Sequence, residues 1–286
     1  MFPRRKRTTL REAISAYLDT LTLAGHAKST LDNREYLLAR LARHLGTESE
    51  VGAIREPELI AYLAEFRRES SASYATLIAK VVRAFCAWLV EQGYLDKEPL
   101  GGIKFKEPRP TPVVPFRQDE LDRLVAVAET GLEKAALALL IDCGLRASEL
   151  TSLRWQDVEL VKRTILIRYG KGAKSRQLAL NDSVRDALAC YLRESSQVNG
   201  TVWPLPFDRK RLERMLDRLG QRAGVSRVYP HRFRHTWATR MLQGGMDPLA
   251  LKVLGGWSTL AMVERYTALI AEERAIEEHR RHAAAI

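Results

Sequence analysis

Between Asp96 and Gln118 the chain carries Pro99, Gly101, Gly102, Pro108, Pro110, Pro112 and Pro115. Proline fixes φ and lacks an amide hydrogen, so neither a helix nor a central strand runs through such a stretch. The segment 96–118 therefore reads as an extended, semi-stiff linker. It divides 286 residues into parts 1–95 and 119–286, each of ordinary domain size. Apolar residues make up 46% and charged residues 28%, a globular balance that excludes a disordered chain. The apolar run Ala135–Ile141 is far shorter than a bilayer span, so no membrane partner is expected. Arg4-Arg5-Lys6-Arg7 is followed by polar Thr8-Thr9 and not by an apolar stretch, which argues against a signal peptide. The cysteines Cys86, Cys143 and Cys190 are odd in number and scattered. They predict no disulfide framework and a reducing cytoplasm.

Apolar spacing before the linker predicts helices at Thr9–Ala24, from a cap at Ser29 or Thr30 to Leu45, at Glu56–Arg68 and at Ser73–Glu91. After the linker, Asp119–Ala128 and Leu132–Cys143 read as helices. Arg163–Tyr169 is rich in β-branched residues and reads as a strand. Gly170–Lys174 is a turn and Arg176–Leu180 the returning strand. Further helices are expected at about 182–195, 208–222, 231–243, 247–254, 259–266 and 271–283. The fold class is mainly α: a four-helix N-terminal module and a mostly helical second domain with a small antiparallel sheet.

Charge is uneven along the chain. The net is +11, but residues 1–100 hold 15 basic and 13 acidic side chains. Within 162–185 seven basic residues face one acid, and within 209–240 ten face two. Such a surface attracts polyanions, nucleic acid foremost, although solvated basic faces give the same count.

The second domain also holds the residues that can carry chemistry. Gly144-Leu145-Arg146-Ala147-Ser148-Glu149-Leu150 sets an arginine just after an apolar helix. A guanidinium there can hold two phosphate oxygens, or simply lie on the surface. Lys171 stands between two glycines at a hairpin tip, with Lys174 a rival for the same role. In His231-Arg232-Phe233-Arg234-His235, residues 231, 234 and 235 share one face of a helix opened by Pro230. The i, i+4 histidines also fit a metal pair, but no third ligand is evident and an intervening arginine repels a cation. Leu254-Gly255-Gly256-Trp257-Ser258 stops one helix and starts another, and Tyr266 follows nine residues after Trp257. Together these supply what phosphoryl transfer without a metal needs. Arginines neutralise phosphate oxygens, tyrosine can hold the phosphate covalently, and lysine can protonate the departing oxygen.

These motifs resemble those of the tyrosine recombinase (phage integrase) family, Xer-type site-specific recombinases included. GLRASEL resembles the first arginine motif, the Gly-Lys-Gly hairpin the lysine turn, HRFRH the His-x-x-Arg-His box and LGGWSTLAMVERY the final box. The resemblance spans about residues 8–270. It implies that Arg146 and Arg234 bind the scissile phosphate, Lys171 acts as general acid and His231 assists proton transfer. Trp257 would donate its indole N–H, and Tyr266 would form the 3′-phosphotyrosine. Most relatives have His where Trp257 stands, so the resemblance implies a hydrogen bond rather than proton transfer there. Glu149 would orient Arg146, and His235 would be structural. A SAM-like clamp would occupy the N-terminal module, with Lys28, Ser29, Arg34, Tyr74, Lys80 and Arg83 facing DNA. Lys174, Arg176 and Arg209 would touch phosphates in the catalytic domain. The resemblance implies double-stranded DNA with an inverted-repeat site as partner, a homo-tetramer or a pairing with a related recombinase, and exchange through a Holliday junction. It calls for no cofactor, ATP or metal. The tail Ala271–Ala283 would dock on a neighbouring protomer, and the compact length favours an Xer-like role. A topoisomerase IB-like relaxer and a non-catalytic DNA-binding regulator are the competing readings.

Overall fold

The computed structural model describes residues 8–106, 113–168, 175–195, 200, 202–203 and 207–283, the side chains of the last helix only in part. The chain forms two compact units, Met1–Thr111 and Pro112–Ile286.

The first unit holds α1 (Leu10–Leu23), α2 (Lys28–Leu45), α3 (Glu56–Glu69) and α4 (Ala72–Glu91). Thr9 and Glu12 form a reciprocal capping box that opens α1, with Thr9 N–H to Glu12 Oε2 at 2.8 Å. The α2 helix starts earlier than expected: Ala27 is its N-cap and makes no side-chain bond, so neither Ser29 nor Thr30 caps it. Ser71 opens α4 by accepting the Tyr74 N–H. By length and composition α4 could cross a membrane. Its Ile78, Val82, Phe85 and Leu89, however, pack with Leu10, Leu37 and Leu41 in the unit's core.

Described residues near both ends of the expected linker are packed. Leu95 and Leu100 are buried in this first core, and Ile103 and Phe105 pack against it. Arg83 donates to the carbonyls of Leu100 and Ile103 and lies 5.0 Å over the Phe105 ring. Prolines and glycines forbid a helix there, but they do not forbid burial. At the far end Phe116 is buried against Phe233, ring centroids 4.6 Å apart, and its N–H donates to Thr236 Oγ1 at 2.8 Å. Arg232 straps this end down by donating to Val114 O at 3.0 Å and Ser226 O at 2.8 Å, and it pairs with Glu120 at 3.1 Å.

The second unit runs α5 (Gln118–Ala126), α6 (Gly131–Cys143), α7 (Ala147–Thr151), β1 (Val158–Glu159), β2 (Thr164–Ile167), β3 (Arg176–Ala179), α8 (Asp182–Ser195), α9 (Arg209–Ala223), α10 (Pro230–Gln243), α11 (Pro248–Gly255) and α12 (Ala261–Ala283). The strands form one antiparallel sheet in the order β1-β2-β3, with Ile165 opposite Leu178 and Ile167 opposite Arg176. Both expected hairpin strands are present but shorter. The short β1 and α7 carry too few residues to show a period. Apolar α6 packs against α8 and α10 at the centre. The two helices expected at 259–266 and 271–283 are a single helix, since no glycine or proline separates Tyr266 from Ala271.

Replacing Leu100 with Ala should destabilise the first unit by about 2–5 kcal/mol, because a fully buried leucine leaves a cavity. Urea denaturation checks this; a leucine in a solvated linker would leave the transition unmoved.

Candidate active site

The site is built around the C-terminal end of α11. Asp247 caps the start of this helix, accepting N–H bonds from Leu249 and Ala250 at 2.9 and 3.0 Å. At the other end Gly256 adopts φ +61, and the N–H groups of Gly256 and Trp257 return to Val253 O and Lys252 O, each at 3.0 Å. The carbonyls of Leu254, Gly255 and Gly256 lie at the negative pole of the helix, beyond its last internal bonds. Three guanidiniums from distant parts of the chain serve them. Arg176 Nε donates to Leu254 O, Arg234 Nη2 to Gly255 O, and Arg146 Nη2 to Gly256 O at 2.7 Å.

Each arginine has a second anchor. Arg146 is the N-cap of α7, where its backbone N–H donates to Glu149 Oε2 at 2.9 Å and its Nη1 to Glu149 Oε1 at 2.7 Å. Arg234 lies on α10, fully buried, and donates Nη1 to Gly144 O at 2.9 Å. Gly144 closes α6 at φ +58, and a Cβ there would stand 2.4 Å from the Trp237 indole, so only glycine fits. Arg176 faces inward from β3 and grips Glu149 with two bonds, Nη1 to Oε1 at 2.8 Å and Nη2 to Oε2 at 2.9 Å.

Electrostatics follow from this crowding. Burial alone would push the Glu149 carboxyl up, but the bonds and charge of Arg176, aided by Arg146, bring it down to about 2. Arg234 is pulled down to about 10 by burial and by the nearby Arg146 cation, with Glu149 opposing. Guanidiniums that converge on one turn suit an anion with several oxygens, such as a phosphodiester.

An aromatic chain continues from the arginines. The Arg234 guanidinium lies 4.3 Å over the Trp257 ring, and Trp257 and Tyr266 have centroids 5.5 Å apart. Tyr266 in turn lies 4.9 Å from His235, whose Nε2 is 3.0 Å from Nε2 of His231. One histidine donates and the other accepts in that contact, as the tautomers dictate. Tyr266, Trp257 and His235 are buried, while His231 is exposed at the start of α10. Among the described residues no group of three metal-ligating side chains forms. Arg146, His231, Arg234, Trp257 and Tyr266 thus form one connected set of contacts. Lys171 and Lys174 lie outside the described residues.

The expected DNA contacts divide. Lys28, Ser29, Lys80 and Arg209 are exposed, Tyr74 is half-buried, and Arg209 pairs with Glu213 at 2.7 Å. Arg34 donates to the Tyr17 hydroxyl. One expectation needs correction. The Arg176 side chain is 4% exposed with both Nη atoms paired to Glu149, so it serves a buried acid rather than the surface. Arg83 donates to the carbonyls of Leu100 and Ile103 and pairs with Glu98, and its side chain stays 35% exposed. Sequence reading overlooked the exposed row Arg211, Arg214 and Arg218 on α9, which with Asp208 lines a shallow cavity of about 360 Å³. Its helical spacing of three and four was the available signal.

Because Glu149 is held down at about 2, against about 4.3 for an unfolded Glu, its contribution to stability is present above the unfolded value and is lost as pH falls toward 2. Glu149→Gln should cost about 3 kcal/mol near pH 6, since it leaves buried guanidiniums without their carboxylate. Melting temperatures of the two proteins should converge between pH 5 and pH 2, each pH set to about 0.1 unit.

Comparison with known proteins gives the family. Residues 115–273 match the model of the phage integrase family. The chain is 31% identical to tyrosine recombinase XerA of Thermococcus kodakarensis, over 91% of this chain and 92% of that protein. The crystal structure of XerA recombinase covers 93% of this chain and 99% of its own, at 25% identity and a TM-score of 0.52. A lambda integrase dimer bound to a COC′ core site shares the fold at 17% identity, with a TM-score of 0.75 over 91% of this chain and 95% of that one. With the family model covering more than half its length, the chain belongs to the phage integrase family, that of the tyrosine recombinases.

Proposed function

We propose that this chain is a site-specific recombinase that breaks and rejoins DNA through a 3′-phosphotyrosine. The observation that carries the reading is the meeting of Arg146 and Arg234 on one glycine turn, next to Trp257 and Tyr266. In this reading both guanidiniums hold the non-bridging oxygens of the scissile phosphate, where negative charge grows in the transition state. The Tyr266 oxygen attacks phosphorus and loses its proton, the bond to the 5′ oxygen breaks, and Lys171 protonates that oxygen as it leaves. His231 assists the proton transfer, and Trp257 donates its indole N–H to phosphate. The new ester keeps the energy of the old one, so a 5′ hydroxyl from a second strand can reverse the step and join the strands.

DNA is the partner that the charge supports. Exposed Arg211, Arg214 and Arg218 on α9, with Arg209, are suited to phosphates, and Lys28, Ser29, Tyr74 and Lys80 are suited to a clamp on the first unit. An inverted-repeat site, a homo-tetramer and docking of the α12 tail on a neighbour complete the proposal. Free Cys86, Cys143 and Cys190 suit a reducing compartment such as the cytoplasm. The name of the XerA relative favours exchange between sites over simple relaxation or regulation.

A nicked suicide substrate tests the chemistry. An SDS-resistant protein–DNA adduct should form in EDTA and be missing from Tyr266→Phe; a mobility shift without an adduct would sink the enzymatic reading. DNA affinity should fall steeply with salt, about 10³-fold or more between 50 and 200 mM if six or more phosphates are contacted. Filter binding across that range measures it.

A further inference from the structure

We propose that Arg176 is a positioning residue that keeps Arg146 available to phosphate by occupying the carboxylate of Glu149. This rests on the recombinase reading above and assigns a part in it to a buried side chain that does not touch DNA.

Glu149 stands three residues after Arg146, close enough for the two to form a planar, two-bond fork. Such a fork would turn the Arg146 guanidinium onto the carboxylate and cancel its charge. The structure holds a different arrangement. Arg176 makes the fork, one bond to each carboxylate oxygen. Arg146 gives Glu149 a single side-chain bond, on the oxygen Oε1 that it shares with Arg176, and turns Nη2 to Gly256 O. Its side chain remains 34% exposed, whereas that of Arg176 is 4% exposed. The buried arginine thus neutralises the acid, and the outer one keeps its charge for the ligand.

Arg176 also ties the base of the β2–β3 hairpin to α11 through Leu254 O. The other strand is fastened by Arg168, whose Nε donates to buried Asp157 at 2.6 Å. Loss of Arg176 therefore has two separable effects: a looser hairpin and an unmasked Glu149. Removing the Glu149 charge as well reverses only the second.

The test uses the full chain on the nicked substrate, reading adduct formation at saturating DNA and affinity by gel shift. Arg176→Gln should slow adduct formation about 100-fold, the scale of a displaced catalytic group, with affinity within about twofold. Arg176→Lys, which neutralises Glu149 without a fork, should fall between. Arg176→Gln with Glu149→Gln should regain about tenfold or more over Arg176→Gln alone, because no carboxylate is left to capture Arg146. A double variant no faster than the single one, an Arg176→Gln protein as fast as the native chain, or a loss of affinity matching the loss of rate would each overturn the proposal. Should Arg176→Gln fail to melt cooperatively, Arg176→Lys with and without Glu149→Gln carries the same comparison. A native chain that forms no adduct would overturn the recombinase reading instead. In that case sulfate still probes the proposal: its stabilising effect on the melt, relative to chloride at equal ionic strength, should vanish in Arg176→Gln and return in the double variant.

Discussion

Three consecutive carbonyls at the end of one short helix hold the catalytic unit in its working shape. Leu254, Gly255 and Gly256 offer oxygens that the backbone of α11 cannot satisfy, and Arg176, Arg234 and Arg146 take them in that order. A helix terminus attracts cations by its dipole and its unpaired acceptors. Here that ordinary property gathers β3, α10 and the start of α7 at one point, although 110 residues separate Arg146 from its acceptor. Trp257 follows at once and carries the chain into the helix of Tyr266, so the tyrosine inherits its place from the same turn.

Gathering cations costs energy, and the structure shows how the cost is contained. The three guanidiniums would repel one another in a partly dry site. Glu149, buried and ionised, offsets part of that repulsion, yet Arg234 still holds its proton less firmly than a solvated arginine does. In the proposed reaction this residual positive charge is what a phosphate would meet, so stability and anion binding would draw on the same groups.

The motifs of this site were legible because they combine uncommon residue types at fixed spacings. GLRASEL, HRFRH and LGGWSTLAMVERY each pair a charged side chain with a glycine or aromatic, and the structure explains the pairing: Gly144 must clear Trp237, and Gly256 must take a left-handed turn. The misreading arose at Arg176, which shares its strand face with buried Leu178, a parity visible in the sequence but outweighed by the basic character of its neighbours. The proline-rich stretch showed where helices stop. It could not show that Leu100, Ile103 and Phe105 would be drawn into the first core, because burial of an irregular segment leaves no period. The unity of α12 was there to be read in its missing breakers.

The strap formed by Arg232 bears on how such a chain can change length. The guanidinium fastens Val114, Pro115 and Glu120 to the helix that also carries Arg234, with Phe116 wedged beneath it at 3.8 Å. One residue gained or lost between Val114 and Glu120 would shift the register of the strap and tug directly on α10. The segment that leads into the second unit is therefore locked to the helix of the chemistry, and its length is as constrained as that of any element in the core.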